Sequence, residues 1–81
     1  MSKIMNGVVM GLVGIAETYP DYYILVKIVE IDHEKGRETG IALYTSTTWQ
    51  ELEDFIKKEG LLEETTIVQG VNLLPLIGGL L

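Results

Sequence analysis

The sequence predicts a small, β-rich α+β domain whose elements run β-β-β-α-β along residues 1–81. Three observations carry this expectation. Residues 7–15, 22–31 and 39–45 are rich in β-branched and aromatic side chains and are separated by Pro, Asp and Gly, which suits strands joined by turns. Residues 48–59 instead space their apolar side chains at helical intervals behind a capping sequence. Residues 65–74 return to the strand pattern before Pro75 interrupts it.

The first stretch, GVVMGLVGI at residues 7–15, reads as a strand in which Gly7, Gly11 and Gly14 mark bends or close backbone approaches. With Lys3 ahead of it and Gly14-Ile15-Ala16 at its end, it has the outline of a signal peptide. The glycine punctuation, Asn6 and the β-branched content favour a strand instead. Gly7 and Gly11 also match a membrane helix-packing spacing, but the 13 residues 4–16 fall short of the ~20 that a spanning helix requires.

Tyr19-Pro20-Asp21 is a turn, with Pro preset for its second position and Asp able to bond nearby backbone. Residues 22–31 (YYILVKIVEI) form the strongest strand pattern, with Lys27 and Glu30 breaking the apolar run on opposite faces, and belong at the centre of a sheet. A charged turn at residues 33–36 leads to TGIALYT at residues 39–45, with Ile41 and Leu43 on one face. The first three strands are therefore expected to form an antiparallel meander.

Thr48-Trp49-Gln50-Glu51 fits the capping box, in which the threonine hydroxyl and the glutamate satisfy orphan backbone N–H groups. Trp49, Leu52, Phe55 and Ile56 then line one face, so Trp49 is expected in the core and Gly60 ends the helix. That single helix covers one face of the sheet.

Composition limits the chemistry. The 81 residues allow one domain, and 47% hydrophobic against 22% charged residues is an ordinary globular balance. The absence of cysteine removes disulfides, thiolate metal sites and cysteine nucleophiles, and points to a reducing, cytoplasmic setting. The net charge of −6, with Lys and Arg scattered along the chain, opposes nucleic acid and anionic membrane as partners.

The order of strands and helix, with the 29–36 turn region and the 66–71 strand, resembles the oligonucleotide/oligosaccharide-binding (OB) fold, a partly open five-stranded barrel. The resemblance implies stacking of bases or sugars on sheet aromatics, for which Tyr19, Tyr22, Tyr23 and Tyr44 are the candidates. Only residues 76–81 remain for a fifth strand, so the barrel is either open or completed by another chain. Separately, Pro75-Leu76-Ile77-Gly78-Gly79 is similar to the diglycine tail of ubiquitin-like sulfur carriers, which implies activation of a terminal glycine as an acyl adenylate. Here Leu80-Leu81 follow the glycines, and three strands rather than two precede the helix.

No catalytic residue, metal or cofactor is expected. His33 sits between Asp32 and Glu34, but neighbours in a strand-to-turn segment diverge and no further ligand lies nearby in sequence. Ser2 and Ser46 lack a histidine at motif spacing, and no phosphate-binding glycine motif occurs. Glu51, Glu53, Asp54, Glu63 and Glu64 read as solvated surface.

The expected function is a non-enzymatic interaction or assembly module that associates with itself or another protein. Residues 71–81 carry no charge and seven large apolar side chains. A domain of this size has little interior in which to hide them, so Leu73, Leu74, Leu76 and Ile77 are the expected interface. An OB-type binder of single-stranded nucleic acid and a diglycine carrier are the alternatives.

Overall fold

The computed structural model describes residues 1–32, 34 and 37–73. Strands β1 (Ser2–Lys3) and β2 (Met10–Gly11) precede helix α1 (Leu12–Thr18) and the long strands β3 (Tyr23–Asp32) and β4 (Arg37–Ser46). Helix α2 (Trp49–Glu59), strand β5 (Thr65–Gln69) and a 3-10 turn at Val71–Leu73 complete the described elements.

The near-continuous apolar pattern of β3 has a direct cause: both of its faces are covered, as in sheets sandwiched between helices. Ile24 and Val26 point to one side and pack with Ile15 of α1 and Ala42. Leu25 points to the other side and packs with Leu52 and Ile56 of α2. The molecule is thus a small α+β domain of three layers, an antiparallel sheet of five strands between two helices.

Helix α1 corrects the expected first strand, of which only Met10 and Gly11 pair in the sheet. Leu12, Ile15, Ala16 and Tyr19 follow helical spacing; Leu12, Ile15 and Tyr19 pack with Ile24 and Val26, and Ala16 is buried beside them in the helix. Gly14 and the β-branched Val13 and Ile15 disfavour helix by up to about 1 kcal/mol each, but complete burial of Ile15 outweighs that local preference. The face of the sheet opposite α2 is therefore covered by the protein's own N-terminal region.

The strands do not form the expected meander. β1 and β2 both pair with β4, not with β3, so the order across the sheet is β1 and β2, then β4, β3 and β5. β3 and β4 form a hairpin whose register slips between Leu25 and Val26 and again between Ile28 and Glu30, two bulges that bend the ribbon. Gly40, opposite Ile28, permits this approach, because a Cβ there would lie 2.5 Å from Val26 Cγ1 and 2.6 Å from the Lys27 carbonyl oxygen.

Helix α2 crosses back over the sheet, so β5 runs in the direction of β4 and lies antiparallel to the intervening β3. It ends at Gly60, whose φ of 67° is left-handed backbone that glycine adopts at little cost. The expected strand at residues 65–74 stops at Gln69, where Gly70 and the 3-10 turn intervene. Among the described residues the strands remain an open sheet, with no pairing between β5 and β1.

Two further expectations change at α2. Thr48 occupies the cap position without a side-chain capping bond. Ser46 lies between the two expected partners: its hydroxyl accepts from the Thr48 N–H at 3.1 Å and donates to the Glu51 carboxylate at 2.8 Å. Trp49 is 46% exposed rather than buried in the core, because as the first helical residue it lies at the rim of the sheet. Its ring and that of Tyr23 meet edge to face, with centroids 5.9 Å apart, and its indole N–H donates to Glu53 at 2.9 Å.

Candidate functional site

Among the described residues, those picked out by sequence do not gather at one place. Tyr23 and Tyr44 lie beneath α2, Tyr19 packs on the opposite face, and Tyr22 is exposed at the start of β3, so the tyrosines form no shared stacking platform. Ser46 is committed to Thr48 and Glu51. His33, Gly78 and Gly79 lie outside the described residues, as do Leu74, Leu76 and Ile77 of the expected interface. Leu73 is half-buried in the 3-10 turn, where its carbonyl accepts a bond from the Gln69 amide at 3.1 Å. Among the described residues no cluster of His, Asp and Glu is placed to hold a metal ion.

Two carboxylates have depressed pKa values, and each is tied to its neighbours. The Met1 ammonium at 2.8 Å holds Glu51 below its ordinary value, helped by the Ser46 hydroxyl. Lys57 at 3.1 Å, and then the Trp49 indole N–H at 2.9 Å, do the same for Glu53. Both carboxylates carry out local anchoring on the surface of α2.

The structure's distinctive surface is the outer edge of β5. In the antiparallel register with β3, Gly70 donates to the Tyr22 carbonyl at 2.8 Å and Ile28 donates to the Glu64 carbonyl at 2.9 Å. The same alternation points the peptide groups of Thr66 and Val68 toward β3 and those of Thr65, Ile67 and Gln69 outward. Among the described residues no strand pairs with that outer edge. The opposite side of the sheet is treated differently, because β1, β2 and the Ile4-to-Leu43 backbone bond cover the edge of β4.

β5 also lacks the usual protection of a free edge. Its sequence, TTIVQ, has no charge, no proline and no glycine, whereas natural edges are commonly blunted by lysine, proline or bulges. Beside it runs a groove of about 290 Å³ lined by Trp49, Ile56, Leu62 and Ile67. Leu62 is 75% exposed, and the Glu53 and Lys57 charges on the groove wall neutralise each other. Sequence reading expects strand-edge pairing before Pro75 but names only residues of the apolar tail, Leu73 to Ile77, and none of Thr65–Gln69. The available signal was the uncharged run at residues 65–69, set against the charge-bearing strands β3 and β4.

A larger groove of about 600 Å³ lies between Gly11, Leu12 and Val13 and the start of β4. The buried Thr39 hydroxyl beside it has no partner among the described residues. The groove reaches Arg37 and Glu38 and presents Val13, 71% exposed, from a helix of only seven residues.

No protein-family model, curated protein or solved structure matches the chain. The OB-like and diglycine resemblances consequently rest on residue order and short motifs alone. No helix among the described residues is long and apolar enough to cross a membrane.

Proposed function

We propose that the protein is a non-enzymatic assembly module in which copies of the chain associate through the open edge of β5. The carrying observation is that edge: outward-facing peptide groups at Thr65, Ile67 and Gln69 on an uncharged, proline-free strand. A partner strand satisfies these groups and adds the apolar burial that a domain this small has difficulty obtaining alone. Leu73, Leu74, Leu76 and Ile77 follow β5 directly in sequence, and the proposal assigns them to the same interface. A second chain then supplies the strand pairing that the open sheet lacks beside β5.

Sedimentation equilibrium of the full chain and of Gln69→Pro tests this reading. The Gln69 N–H faces outward, so proline blocks strand addition without removing a bond to β3. The full chain is expected to associate reversibly and Gln69→Pro to remain monomeric with its fold retained. A full chain that stays monomeric at high micromolar concentration contradicts the proposal.

A further inference from the structure

Resting on that assembly reading, we infer the geometry of the pair: two copies join β5 to β5 antiparallel about a twofold axis through Ile67, making one continuous sheet. The outward positions of β5 are symmetric about Ile67, with Thr65 two residues before it and Gln69 two after. Only a register centred there sets all three outward positions opposite outward positions. Thr65 then faces Gln69 of the second copy, and Ile67 faces its own counterpart. Polar side chains lie across from polar, and apolar lies across from apolar.

The charge distribution favours a second copy over a different partner. Each chain carries −6, so a self-interface must avoid placing acidic groups across from one another. β5 has none, the exposed Glu63 and Glu64 just before it fall opposite Val71 and Gly70 of the second copy in this register, and Glu53 on the groove wall is already paired with Lys57. The three facing pairs exchange about six backbone hydrogen bonds.

The register also fixes what surrounds the seam. Residues opposite each other in an antiparallel pair project to the same side, so α2 of both copies lies on one face of the joined sheet. The groove between α2 and β5 thereby meets its symmetry mate. Ile67, half-exposed in one chain, is covered by its counterpart, and the exposed Leu62 and Trp49 flank the junction.

Single cysteines test the register in a chain that otherwise has none. In a hydrogen-bonded antiparallel pair the Cα atoms stand about 5.5 Å apart, within the ~4.4–6.8 Å range of disulfides. Under mild oxidation with oxidised glutathione, Ile67→Cys is expected to form a covalent dimer. Thr65→Cys and Gln69→Cys, each alone, place like positions more than about 10 Å apart at ~3.4 Å per residue and should stay unlinked, whereas their mixture should cross-link. This second arm keeps the test informative if Ile67→Cys packs poorly.

Sedimentation of the same samples under reducing conditions separates the two claims. Association without linkage at Ile67 and without linkage in the mixture overturns the register while leaving assembly standing. Linkage of Gln69→Cys to itself also overturns it. Monomers throughout overturn both claims.

Discussion

Trp49 and Leu52, three residues apart on α2, show how position along a helix decides what a large apolar side chain contributes. Leu52 is fully buried against Leu25, whereas Trp49 stands at the rim, 46% exposed. Leu52→Ala should therefore cost about 2–5 kcal/mol, and Trp49→Ala only about 1–2 kcal/mol for the lost Tyr23 contact and Glu53 bond. Urea unfolding midpoints for the two variants check the order. The stripe was legible in sequence, but periodicity assigns a residue to a face and does not say whether the sheet extends beneath it.

Glu51 joins the chain's first residue to α2, and its depressed pKa sets the sign of a pH effect. A carboxyl whose pKa is lower when folded stabilises the fold above its ordinary value of 4.5 and loses that contribution as the pH falls through the folded value. The advantage of the wild-type chain over Glu51→Gln in thermal melting should be present at pH 7 and vanish in strong acid. An unchanged difference at pH 2 and pH 7 would show that the Met1 and Ser46 contacts contribute nothing through charge. The capping sequence at residues 48–51 correctly located the start of α2. It did not anticipate Ser46 at the end of β4, whose hydroxyl accepts from the Thr48 N–H and donates to the Glu51 carboxylate, the two groups that pair with each other in a capping box.

At the scale of elements, β3, β4, α2 and β5 were legible because their patterns are strong and each is closed by its own turn or cap signal. α1 was misread because its composition and its spacing disagree. Val and Ile content suggests a strand, while the spacing of Leu12, Ile15, Ala16 and Tyr19 suggests a helix. Packing against Ile24 and Val26 settles the conflict in favour of spacing. The pairing of β1 and β2 with β4 was equally hidden, since strand neighbours depend on which edge the first segment reaches and not on its own residues.

The hairpin offers a test of that packing. Gly40→Ala forces a methyl against Val26 and the Lys27 carbonyl in the middle of the sheet, where the backbone cannot yield freely. Overpacking of this kind should cost about 1–3 kcal/mol. A denaturation midpoint unchanged from wild type would mean that β3 and β4 are further apart at this bulge than described.

For the whole molecule, a −6 charge and a neutral β5 edge act in opposite directions on association. Two like-charged copies repel, and salt screens that repulsion over a Debye length of about 10 Å at 0.1 M. Raising salt from 20 to 200 mM should therefore strengthen self-association. Single-stranded oligonucleotides should show no binding tighter than about 100 µM at physiological salt, because phosphate contacts need the clustered positive charge this chain lacks. Association that weakens with added salt would mean that charge pairing, not strand addition, holds the copies together.

Amide hydrogen exchange resolved to single residues tests the central claim most directly, because it reads the β5 edge itself. The amides of Thr66 and Val68 face β3 and should be protected at every protein concentration. Those of Thr65, Ile67 and Gln69 face outward and should exchange quickly in dilute solution, then become protected together as concentration rises and copies pair. Outward amides that exchange at one fast rate at all concentrations would contradict the account. So would protection already complete at the lowest concentration, which would mean that the chain covers the edge by itself.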